Sequence, residues 1–135
     1  MVVTLSNQIP PEFDRPNYAF AAPRSLYADV SPELDAPVFQ ISGPELFEKC
    51  ISVWGDQDRT ELIKREDAHL RAHFVCTTRF LHFKDDIFIE IVPIGEHSFS
   101  VLVLSKSRVG YYDFKVNRKR VEGWLKLLDD SENAS

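Results

Sequence analysis

The side chains best suited to chemistry in this chain lie in residues 105–122. Between Ser105 and Arg120 stand Lys106, Arg108, Lys115, Arg118, Lys119 and Arg120 against a single acid, Asp113; this segment is net +5 in a chain of net charge −5, and the remainder is −10. An apolar strand enters a polar corner at Gly110 and leaves it as a helix. Backbone N–H groups at that helix start, with Arg108 and one of Arg118 or Arg120, could hold a carboxylate or phosphate. Asp113 opposes this reading: as a cap it occupies the same donors and repels a second negative charge. Asn117 falls three residues after Phe114 and four before Val121, which places it on or beside the buried stripe of the helix. A buried amide left unpaired costs about 1–3 kcal/mol, so Asn117 must find partners in the backbone, at strand ends or in a ligand. The alternative to an anion site is a latch, in which Arg108, Arg118 or Arg120 pairs with Asp113 or with Asp85 and Asp86 across the fold. The structural use carries more weight than the anion site.

The other candidates are weaker. Asp85 and Asp86 could form an acid/base pair, but adjacent residues of a strand point to opposite faces and cannot share a proton; a turn is the simpler expectation. His69 and His73 on a strand share a face about 13 Å apart, too far for one metal. His82 and His97 fall in turn-like places, and Thr77 and Thr78 are explained by strand propensity. No nucleophile elbow, phosphate loop or dinucleotide motif occurs, so no cofactor and no metal are expected. Cys50 and Cys76 occupy apolar positions and read as buried reduced thiols.

The elements that position these groups follow from periodicity. Six of the eight prolines lie in the first 37 residues, a density that predicts an irregular arm anchored by Phe13, Tyr18, Phe20, Leu26 and Tyr27. Residues 38–41 predict a short strand. Gly43-Pro44-Glu45 then opens a helix with the apolar stripe Leu46, Phe47, Cys50, Ile51 and Trp54, ending near Gly55. Strands are predicted near 60–66, 69–78, 86–94 and 98–105, with turns at Glu66-Asp67, Lys84-Asp85-Asp86 and Gly95-Glu96-His97. The last two are apolar on both faces, as central strands covered on both sides are. The last helix runs roughly over 114–128, with Phe114, Val121, Trp124, Leu125 and Leu128 on one stripe. The expected fold is α+β: a single domain over 38–130, a curved antiparallel sheet with two helices on one face in the order β-α-β4-α, of TATA-binding-protein-like or helix-grip-like form. The arm spans 1–37, and 131–135 form a frayed tail.

A chain of 135 residues that is 44% hydrophobic and 27% charged fits one soluble domain. No apolar run is long enough to span a bilayer and the N-terminus lacks a signal pattern, so a cytoplasmic location is expected. The acidic net charge argues against nucleic acid. The second face of the sheet is filled by the arm, or it takes an apolar or amphipathic ligand, or it forms a homodimer interface; packing by the arm is favoured.

Residues 107–113 and 116–122, Ser-Arg-Val-Gly-Tyr-Tyr-Asp and Val-Asn-Arg-Lys-Arg-Val-Glu, resemble the bacterial and plant domain-of-unknown-function family 1499. Pro16-Asn17 and Phe83-Lys84-Asp85-Asp86 extend the resemblance over most of the domain. The chain departs from the family's pattern at Tyr18-Ala19-Phe20, where a serine-rich sequence with a cysteine is usual. It departs again at Leu104, Tyr112 and Lys115, in place of an arginine, a serine and a glycine. Many relatives look membrane-attached, whereas this N-terminus carries no lipoprotein signal. The resemblance implies a fold and a candidate site but no reaction. The function expected is a non-enzymatic module binding an anionic or amphipathic small molecule or a protein partner, with its site at Arg108, Asp113, Asn117, Arg118 and Arg120 near Asp85 and Asp86. The alternatives are a small enzyme with an arginine clamp and Asp113 or Asp86 as base, and a self-associating structural subunit.

Overall fold

The computed structural model describes residues 18–27, 32, 34–79, 82–108 and 116–133. Its strands form one six-stranded, curved and unclosed sheet in the order β2-β1-β6-β5-β4-β3. They are β1 (Tyr18–Ala22), β2 (Leu34–Asp35), β3 (Thr60–Glu66), β4 (Arg71–Thr77), β5 (Lys84–Gly95) and β6 (Ser98–Ser107). The helices are the short α1 (Arg24–Tyr27), α2 (Gly43–Gly55) and α3 (Val116–Asn133). All pairings are antiparallel except that of β1 with β2. The expected α+β architecture holds, with both long helices on one face.

The apolar strands β5 and β6 are central, as their two-sided hydrophobicity predicts. Alternation sends Ile87, Ile89, Ile91, Val101 and Val103 to the helix side, where they meet Leu46, Phe47, Cys50 and Trp54 of α2 and Val121, Trp124, Leu125 and Leu128 of α3. Phe20, Ala22, Phe88, Val92, Leu102 and Leu104 form a second buried cluster on the opposite face. Ser42 caps α2 by accepting from the Glu45 N–H at 3.2 Å, and Pro44 stands in the first turn. The two long helices are tied by stacking of Trp54 on Trp124, with centroids 5.4 Å apart, and by Trp54 Nε1 donating to the Trp124 carbonyl at 3.0 Å. Cys50 and Cys76 are free and buried, and desolvation pushes the Cys50 thiol well above its ordinary pKa.

Four local expectations are corrected. The proline-rich segment is not irregular throughout: Tyr18–Ala22 is an interior strand between β2 and β6. Prolines at 16 and 23 bracket it and none falls within it, so its N–H groups are free to join the ladder. Its Ala19 and Ala21 face the helices, small enough to let α3 lie close, while Phe20 and Ala22 join the second cluster. The strand expected at 38–41 is reduced to a bridge between Phe39 and Phe99. His69 belongs to a 3-10 turn, Asp67–His69, and not to β4. The acidic tail is helical to Asn133, held by Lys126–Asp130 at 2.9 Å and by Lys49 of α2 on Glu132 at 2.8 Å. The arm before residue 18, with Phe13, lies outside the described residues, and with it the question of how far the arm covers the second face.

Because β1 is interior, deletion of residues 1–36 removes β1 and β2 and bares the β6 edge beside an apolar cluster. Calorimetry of the shortened chain is expected to show no cooperative thermal transition; a sharp transition near the wild-type midpoint contradicts the role assigned to β1.

Candidate functional site

The site is organised by two consecutive carboxylates. Asp85 and Asp86 do not lie in a turn: both are in β5, and alternation sends them to opposite faces. In register, Asp85 stands between Cys76 of β4 and Ser107 of β6, and Asp86 between Val75 and Lys106.

On the helix side Asp85 is 1% exposed, and its Oδ2 accepts from Arg120 Nη2 at 2.8 Å. Arg120 Nη1 donates to Asn117 Oδ1 at 2.9 Å and to Ser105 Oγ at 3.2 Å. Asn117 is fully buried; its Oδ1 accepts from Ser105 Oγ at 2.5 Å and its Nδ2 donates to Ser107 Oγ at 2.9 Å. The three-residue spacing of Asn117 and Arg120 sets both on one face of α3, and the two-residue spacing of Ser105 and Ser107 sets both beneath it. Helix, β6 and β5 are thereby joined through a continuous polar network inside an apolar layer. Cys76 adjoins it, 3.1 Å from Thr60 Oγ1. Desolvation raises the thiol pKa of Cys76 despite the opposing charge of Arg120 and the Thr60 hydrogen bond.

On the opposite face Arg108 grips Asp86 with two bonds of 2.9 Å, Nε to Oδ2 and Nη2 to Oδ1. His73 Nε2 lies 2.7 Å from Asp86 Oδ1, and the His73 ring stacks on Phe88 at 4.5 Å. Burial of Asp86 works against its charged form, but the hydrogen bonds from Arg108 and His73 outweigh it and hold the carboxyl below the usual range. Next along the strand, Lys106 Nζ lies 5.9 Å from the Tyr18 ring centroid and 5.8 Å from that of Phe88.

The predicted residues are therefore separated into two groups. Asp85, Asn117 and Arg120 meet beneath α3, whereas Asp86 and Arg108 meet on the far face of the sheet. One anion cannot be clamped by Arg108 and Arg120 together, because the sheet lies between them. Arg118 is half-buried on α3, and Asp113 lies outside the described residues. The partners of Asn117 among the described residues include the two serines and Arg120. Ser105, Ser107, His73, Lys106 and Cys76 were not among the expected site residues, although Lys106 lies in the basic segment and His73 was weighed as a metal ligand. The serines had a readable signal, two polar residues ending the helix-facing row that holds Val101 and Val103; His73 had none, because its partner is set by β4–β5 register.

Asn117→Ala leaves buried hydroxyls and a guanidinium short of a partner and is expected to lower stability by about 2–3 kcal/mol in urea unfolding; a loss below about 0.5 kcal/mol contradicts the network. The Asp86 pairing has a definite pH sign. A carboxyl held below its unfolded value of about 3.9 stabilises the fold above that pH and ceases to do so as the pH falls through its lower folded-state value. The stability gap between wild type and Arg108→Gln is therefore expected to close on acidification, read from thermal midpoints between about pH 6 and about pH 2. A gap constant over that range contradicts the assignment.

No curated protein matches the chain. Over residues 8–128 it matches the family model described as "Protein of unknown function (DUF1499)". That span takes in the strands, both long helices up to Leu128, and every residue of the two polar clusters, and the chain belongs to this family.

Proposed function

We propose that this protein is a non-enzymatic binding module for a small anionic or amphipathic molecule, held on the sheet face opposite α2 and α3. The observation that carries the reading is the state of Lys106. Its ammonium rests over the rings of Tyr18 and Phe88 and makes no hydrogen bond or ion pair among the described residues, although it pairs in register with Asp86. Asp86 gives its oxygens to Arg108 and His73 instead. The Arg108 side chain is 44% exposed and engages Asp86 through Nε and Nη2, leaving Nη1 for an incoming oxygen. Two cations thus stand beside one carboxylate at the partly exposed end of a face whose apolar side chains are otherwise buried, an arrangement suited to an anionic group.

Proton-transfer chemistry receives less support. Asp85 is closed in beneath α3, and Asp86, held ionised by two donors, is a poor general acid and a weakened base. The helix-side network reads as the latch and the opposite face as the binding surface.

Calorimetric titration with decanoate tests this. Wild type is expected to bind it, Lys106→Gln to weaken binding about tenfold, and Lys64→Gln on the exposed edge strand to leave it unchanged. Equal affinity in wild type and Lys106→Gln sinks the reading.

A further inference from the structure

We propose that His73 determines which anion the site takes. Its Nδ1 accepts a hydrogen bond from the ligand, which is therefore an anion that also carries a hydroxyl, a hydroxy acid. The inference rests on the binding reading above and names the class of molecule bound.

The state of the imidazole follows from its partner. Burial notwithstanding, the hydrogen bonds from Arg108 and His73 keep Asp86 ionised, so its oxygens only accept. His73 Nε2 lies 2.7 Å from Asp86 Oδ1, and that nitrogen must carry the hydrogen. In the neutral ring the other nitrogen, Nδ1, is then a bare acceptor. The ring is held in place by this bond and by its stacking on Phe88, with the planes 18° apart.

Nδ1 is open. It makes no hydrogen bond among the described residues, and it is not one of the buried polar atoms that lack a partner. Solvent therefore reaches it, on a side chain that is 20% exposed. A histidine that served cohesion alone would have both nitrogens engaged within the fold, as the polar groups beneath α3 are.

The position of this acceptor gives it meaning. His73 Nε2 and Arg108 Nη2 converge on the same oxygen, Asp86 Oδ1. Nδ1 and Arg108 Nη1, the nitrogens left for a ligand, are each separated by a single carbon from a nitrogen bonded to that oxygen. Lys106 adds its charge from the other side of β5, where it lies over the Phe88 ring that His73 also touches. The partly exposed end of the face thus presents two cations and one acceptor. A simple carboxylate satisfies the cations and takes water from Nδ1 without replacing its hydrogen bond, whereas a hydroxyl beside the anionic group supplies that bond. Sites that bond a hydroxyl in this way reject the analogue lacking it.

Calorimetric titration at about pH 8, where an ordinary imidazole is neutral, with decanoate, 2-hydroxydecanoate and 3-hydroxydecanoate separates this inference from the reading beneath it. Wild type is expected to bind at least one of the hydroxy acids about fivefold more tightly than decanoate, the worth of one added hydrogen bond. His73→Gln keeps an amide donor for Asp86 and removes Nδ1; it is expected to abolish the preference while leaving decanoate affinity within about twofold. Nitrogen NMR of wild type gives a readout that needs no variant: the Nδ1 resonance is expected to move farther with the preferred hydroxy acid than with decanoate. No preference for either hydroxy acid in wild type, a preference that survives His73→Gln, or equal movement of the Nδ1 resonance overturns the role of His73 even where decanoate binds. Failure of wild type to bind any of the three overturns both.

Discussion

Two adjacent aspartates on a central strand impose the constraint on which the rest of this structure depends. Strand alternation cannot let neighbours share a face, so Asp85 and Asp86 deliver one carboxylate to each side of a sheet that is apolar on both sides. Each is at least nine-tenths buried, and a buried carboxylate without a cation or donors is unstable by several kcal/mol. The fold must therefore bring an arginine to each face at the same level of β5. Arg120 comes from α3 and Arg108 from the end of β6. These two demands fix where α3 crosses the sheet and where β6 ends.

The helix-side pair is embedded in a fully polar patch. Arg120, Asn117, Ser105, Ser107 and Asp85 satisfy one another in a layer otherwise made of Ile, Val and Trp. Such a network defines a unique position more sharply than hydrophobic contacts do, because sliding α3 by one turn would break several hydrogen bonds at once. The stacked tryptophans and the alanines of β1 set the distance of α3 from its neighbours; the network sets its register. The other pair is built differently. Arg108 keeps one edge of its guanidinium open, His73 braces Asp86 from β4, and Lys106 remains over aromatic rings. The same dipeptide is enclosed in a polar network on one face and paired with a partly exposed arginine on the other.

Much of this was legible in the residues. The two-sided hydrophobicity of residues 86–94 and 98–105 predicted central strands, the stripes of α2 and α3 predicted which residues they bury, and the position of Asn117 predicted a buried amide in need of partners. The pairing of arginines with Asp85 and Asp86 was among the expected arrangements, but which arginine met which aspartate was not readable. That depends on the level at which α3 crosses β5. Placing the two aspartates in a turn failed for a related reason: local composition around Lys84 is polar, and tertiary pairing overrode it. The strand at Tyr18–Ala22 was hidden by the surrounding prolines, although the proline-free interval was long enough to hold it.

The sequence by itself determined the class of fold, the faces that would be apolar and the need of its buried polar groups for partners, because those follow from periodicity and from the energetics of desolvation, which are local properties of residues. Only the tertiary structure decided that Arg120 and Arg108 stand on opposite sides of the sheet, that His73 meets Asp86, and that Glu90 is buried on the face of Lys106. Those facts depend on strand register and helix placement. A shift of one residue exchanges the faces of a strand, and no residue type announces its register.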